Sequence, residues 1–163
     1  MFVRISSWLV VVASTVAIGH AQQPIEGAYS CTAESSGGIF YNDRTKKWEG
    51  TRFRPFSKFV LKLKYARTGA QGDEYAATVT SSSGSESSCA STRTQLVQVD
   101  EVGFLACRTE FYNYKFNLKS GRFIEVYLMG YVSGRDTNDD TPMVSGGSCI
   151  KTNQQDVPPV DKK

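Results

Sequence analysis

Histidine is the scarcest functional residue in this chain. Among 163 residues there is one, His20, and it lies in the N-terminal leader. Met1 to Trp8 opens with the single cation Arg4, Leu9 to Ile18 is an unbroken apolar or small stretch, and Gly19-His20-Ala21 is a small-x-small cleavage sequence. That arrangement predicts a secretory signal peptide over 1–21. Cleavage after Ala21 leaves Gln22 to Lys163, 142 residues without an imidazole. The commonest general base and the commonest metal ligand are then gone, which excludes Ser-His and Cys-His nucleophilic chemistry. Long hydrophobic runs are missing too. Ten apolar or small residues fall short of the roughly 20 that a bilayer-spanning helix needs, so no transmembrane segment is expected.

Other signatures are absent. There is no CxxC pair to begin a zinc site, no P-loop and no dinucleotide fingerprint. No metal or cofactor is expected, and no N-x-[ST] glycosylation acceptor occurs. Asp136-Thr137-Asn138-Asp139-Asp140 imitates the start of a calcium loop, but Thr141 stands where that loop needs Gly and Gly147 where it needs Glu. It reads as a polar turn. Ser148-Cys149-Ile150-Lys151 matches S-x-x-K without the companion motifs of that chemistry. Catalysis by carboxylates alone stays formally open, with Glu110 and Glu125 as candidates.

What is present is a strand pattern. Phe59, Leu61, Leu63 and Tyr65 alternate with Lys58, Val60, Lys62 and Lys64; Tyr112, Tyr114, Phe116 and Leu118 alternate with Asn113, Lys115 and Asn117. Period two, with β-branched and aromatic enrichment and frequent turn signals, predicts strands over 26–33, 37–41, 47–53, 58–66, 74–80, 94–99, 102–108, 111–118 and 122–132, and a tenth over 143–150. The expected fold is all-β: an antiparallel meander of about eight to ten strands in a closed or partly open barrel, with a two-sheet sandwich as second choice. One β domain is expected over 22–151, with a disordered tail over 152–163. Ser81 to Ser88 holds nothing to anchor it in a core and is expected to be mobile. In the strand over 122–132, Ile124, Val126 and Leu128 are assigned to the core. Phe123, Tyr127, Met129 and Tyr131 are then left to face outward as a recognition patch or a cavity wall.

Cys31, Cys89, Cys107 and Cys149 are even in number in a chain marked for export, which favours two disulfides. Of three possible pairings, Cys89–Cys107 and Cys31–Cys149 are favoured. The first closes a local strand–turn–strand unit, and the second ties the first strand to the last. The loop-entropy model gives about 3 and about 4.7 kcal/mol for them.

Charge is distributed unevenly. The chain beyond Ala21 has 18 Lys and Arg against 16 Asp and Glu, a net +2. Between Arg44 and Arg67, however, nine cations face one acid, Glu49, a local net of +8. Lys58, Lys62 and Lys64 share one strand face. Lys46, Lys47 and Trp48, then Arg52 and Arg54 around Phe53, add cations interleaved with aromatics. These eight residues other than Phe53 are the candidate binding set, aimed at an anionic envelope component or the acidic face of a protein; nucleic acid is not the expected partner. The plain alternative is a charged face that solubilises a strand and guards it against edge pairing.

The Tyr29-Ser30-Cys31 opening, the Gly147-Ser148-Cys149 ending and the exported all-β layout resemble periplasmic lysozyme-inhibitor barrels, and the layout also resembles small lipocalin-like carriers. The resemblance implies a barrel-type fold and carries no residue roles across. The function expected from the sequence is a secreted or periplasmic, non-enzymatic binding protein. An apolar-ligand carrier is the alternative, and a carboxylate hydrolase stands third.

Overall fold

Alternation of core and solvent positions runs through nearly every strand. The computed structural model describes residues 25–70, 72–90 and 95–152; the expected signal peptide and residues 153–163 of the expected tail lie outside them. Ten strands form: β1 (Gly27–Asn42), β2 (Lys47–Phe53), β3 (Lys58–Gly69), β4 (Gly72–Ser81), β5 (Glu86–Ser88), β6 (Leu96–Gln98), β7 (Phe104–Arg108), β8 (Tyr112–Asn117), β9 (Arg122–Tyr127) and β10 (Met143–Thr152). A short 3-10 turn covers Tyr131–Ser133.

Every strand pairing is antiparallel, in the order β5-β4-β3-β1-β10-β9-β8-β7, with β2 also on β1 and β6 also on β4. The described residues are therefore all-β, with β3-β4 and β7 to β10 paired in chain order, as in a meander, and β1 set between β3 and β10. The two strands expected over 26–33 and 37–41 are one continuous strand with a register slip between Ala33 and Ser35. The extra residue of such a bulge bends a strand without ending it. One edge of β1 pairs with β10 on both sides of the slip, while the other pairs first with β3 and then with β2. Glycine allows the close approach at this bend. A Cβ on Gly147 would collide with the Thr32 carbonyl oxygen, and one on Gly38 with that of Pro142.

The sheet does not close into a barrel. Among the described residues its ends meet at two isolated bridges, Ala90–Arg108 and Val99–Leu105, and through the Cys89–Cys107 disulfide. The short β5 and β6 explain why. Each has three residues and both occupy the same edge of β4, so neither offers β7 a full ladder. Cys31–Cys149 joins directly paired residues of β1 and β10. The cysteines thus pair as the sequence favoured, and two disulfides suit an oxidising compartment.

The interior is filled by side chains. Phe59 meets Phe123, Tyr114 and Phe116 at ring-centroid distances of 5.0, 5.3 and 6.1 Å, among buried Leu61, Val97 and Leu105. Three expectations need correction. The segment 81–88 is partly ordered, because Glu86–Ser88 pairs with β4 through backbone bonds that need no apolar anchor. Thr152, assigned to the tail, pairs with Ala28. Most consequentially, β9 ends at Tyr127 and faces the other way. Phe123 and Glu125 are buried at 3 % exposure each, whereas Ile124 is 51 % exposed. The register of β9 with β8 sets Phe123 opposite Phe116 and Glu125 opposite Tyr114, and those partners are core residues. A carboxylate in the core outranked a simple reading of hydrophobicity, because a one-residue slip would expose Phe123 as well.

Candidate binding sites

The basic segment folds into β2, the 54–57 connection and β3, which follow one another along the same edge of β1. On β3 the apolar positions Phe59, Leu61 and Leu63 point inward, so Lys58, Lys62 and Lys64 all stand exposed on the outer face. Register places Trp48 opposite Tyr41 and Arg52 opposite Gly37. Gly37 lies opposite Val144, on the exposed side of β10, so Arg52 shares the outer face with the three lysines. Lys47 belongs to the opposite face of β2, and Lys46 occupies the hairpin turn with a left-handed backbone (φ 54°).

Three of the nine cations are in ion pairs: Lys46 with Asp43 at 3.9 Å, Lys62 with Glu86 at 3.4 Å and Arg67 with Glu74 at 2.7 Å. All three pairs reach solvent, where such contacts stabilise little. Arg44, Arg52, Arg54, Lys58 and Lys64 have no ion-pair partner among the described residues. Trp48 has internal partners instead. Its indole N–H donates to Asp136 Oδ1 at 3.0 Å, and its ring lies 5.7 Å from Tyr41 and 5.4 Å from Tyr131.

Those contacts hold down the long connection between β9 and β10. Asn138 serves the backbone of Tyr41 twice: its Oδ1 accepts from the amide and its Nδ2 donates to the carbonyl, both at 2.7 Å. The polar run that imitates a calcium loop thus spends Asp136 and Asn138 on Trp48 and Tyr41. Gly130 (φ 91°) lets the connection fold back on itself, since a Cβ there would collide with the Asp140 carbonyl.

Folding this connection over the strand ends creates a cleft that sequence reasoning missed. The cleft is open to solvent and spans about 540 Å³, with Phe53, Phe56, Tyr112 and Tyr127 as aromatic lining and Arg54, Asp139 and Asp140 as charged lining. Tyr112 and Tyr127 are cross-strand partners with rings 5.2 Å apart, and the Tyr127 hydroxyl donates to Asp140 at 2.8 Å. Burial and that hydrogen bond push the Tyr127 pKa up to about 12. Of the candidate binding set only Arg54 enters the cleft.

Beneath it, one residue pair deeper on the same inner face, lie Tyr114 and Glu125. Burial raises the Glu125 pKa, and hydrogen bonds from the Ser57 and Tyr114 hydroxyls only partly oppose the rise. Its Oε2 has no hydrogen-bond partner among the described residues. Glu110, the other carboxylate considered from sequence, stands exposed in the turn before β8. A second cleft, at the opposite strand ends, is lined in part by Tyr29, Tyr75, Asp100 and Lys119. Asp100 there is committed to the turn before β7, accepting from the amides of Val102 and Phe104.

No protein-family model, curated protein or solved structure matches this chain.

Proposed function

We propose that this chain is an exported, non-enzymatic binding protein that captures an anionic partner on the outer face of β2 and β3. The partner class is an anionic envelope component or an acidic protein surface, met in the periplasm or outside the cell. The carrying observation is the exposed row of Lys58, Lys62 and Lys64 with Arg52 on the same face, in which Lys58, Lys64 and Arg52 have no ion-pair partner among the described residues. Unpaired cations of one sign raise the local concentration of an oppositely charged partner and steer its approach. Phe59 packs on Phe116 and Phe123 in the middle of the core, so an apolar-carrier alternative would have to use one of the two end clefts.

The test compares wild type with a Lys58→Glu/Lys62→Glu/Lys64→Glu variant in co-sedimentation with phosphatidylglycerol-containing vesicles and in retention on immobilised heparin. The variant is expected to lose both. All three side chains are exposed, so circular dichroism should match wild type. Equal binding by the two proteins would reject the proposal.

A further inference from the structure

We propose that the cleft between the 54–57 connection, the β8–β9 strand ends and the β9–β10 connection is a binding site for a compact organic cation, a primary amine or a guanidinium. This goes beyond capture of an anion on the lysine face, and it stands whether or not that face binds anything.

The aromatic lining is the first ground. Phe53, Phe56, Tyr112 and Tyr127 all line the cleft. An aromatic face attracts a cation through its quadrupole, and several faces around one volume form a cage for positive charge. Tyr127 is held in place at both ends, its ring packed at a 42° tilt against Tyr112 and its hydroxyl bonded to Asp140, so part of the cage is preorganised.

Charge is the second. The lining sets two carboxylates, Asp139 and Asp140, against one guanidinium, Arg54. No ion pair joins Arg54 to either aspartate. The cleft is therefore net negative in a molecule whose neighbouring β2–β3 surface is strongly positive. Glu125 lies in the adjacent row, and its Oε2 has no hydrogen-bond partner among the described residues. Buried unpartnered acceptors are rare in native proteins, and a bound donor nearby is one physical reason for one. The volume, about 540 Å³, suits a small molecule or a single long side chain.

The experiment is calorimetric titration at physiological salt. Agmatine and cadaverine serve as free cations, an acetylated and amidated Gly-Arg-Gly peptide presents the same chemistry as a side chain, and methyl glucoside is the neutral control. Saturable binding of at least one cation and none of the glucoside is expected. A response to the peptide alone would assign the ligand to a protein side chain, and one to the free amines alone to a small molecule.

Two variants then read the sign of the site. Asp139→Asn/Asp140→Asn should weaken cation binding at least tenfold, while Arg54→Gln should tighten it. Phe56→Ala, at a 67 % exposed position that folding does not depend on, should weaken it about threefold to fivefold. Three results would overturn the proposal: no saturable cation binding, glucoside binding as well as the cations, or the opposite order of the two charge variants.

Discussion

Replacing Glu125 by Gln should change the pH dependence of stability in a direction fixed by the site. The carboxyl is 97 % buried by residue exposure, since 3 % is accessible, and its pKa in the folded protein lies above the ordinary value of 4.5. Well below that value, Glu125 is protonated in both folded and unfolded chains and costs nothing extra. As pH rises past it, the unfolded chain releases the proton while the folded chain retains it. Stability therefore falls through the window between the two pKa values. The slope approaches 2.303RT, about 1.4 kcal/mol per pH unit, and levels off above the folded pKa. Gln carries no such proton, so the variant lacks this component. Trp48, the one tryptophan among the described residues, packs on Tyr41 and Tyr131 and reports unfolding by fluorescence. Urea titrations at intervals from about pH 4 to about pH 8 should give a variant-minus-wild-type stability difference that climbs as pH rises past the ordinary carboxyl value. A difference constant across that range, or one that falls, would refute the assignment of Glu125 to the core with a raised pKa.

Other consequences follow from packing and covalent structure. Removing the seam disulfide in Cys89→Ala/Cys107→Ala should cost about 3 kcal/mol by loop entropy, with Cys31→Ala/Cys149→Ala costing more because its loop is longer; equal denaturant midpoints for both variants and wild type would contradict this. Gly147→Ala places a Cβ against the Thr32 carbonyl and should destabilise by about 1–3 kcal/mol, whereas Gly50→Ala meets nothing within 4 Å and should stay within about 0.5 kcal/mol. The register of β9 is tested by Phe123→Ala, expected to cost about 3–5 kcal/mol, against Ile124→Lys, expected to be nearly neutral. The reverse order in thermal melts would place β9 the other way round.

Most of the strand pattern was legible because apolar and polar residues alternate so regularly in β3, β4 and β8. Both disulfides were legible as well, since one pairing is local and the other joins the two strands that bracket the domain. What misled was β9. Ile124, Val126 and Leu128 look like a core face until the aromatic partners Tyr114 and Phe116 across the ladder are known, and a single strand does not reveal its partners. Curvature was also hidden. The bulge after Ala33 and the bend permitted by Gly38 and Gly147 merge two expected strands into one, and short spacing between apolar runs looks the same for a bend and a break. The lysine row was visible by alternation alone. The cleft was not, because its walls come from Phe53, Tyr112, Tyr127 and Asp140, which are distant in sequence and meet only once Asn138 and Trp48 fasten the β9–β10 connection.

Salt titration of partner capture tests the cationic face most directly. Binding of the wild-type protein to phosphatidylglycerol-containing vesicles should fall steeply, roughly tenfold or more, as added salt shortens the screening length from about 10 Å to about 3 Å. The Lys58→Glu/Lys62→Glu/Lys64→Glu variant should stay near background at every salt concentration. Wild-type binding that holds steady across the titration, or a variant that tracks it, would contradict the account.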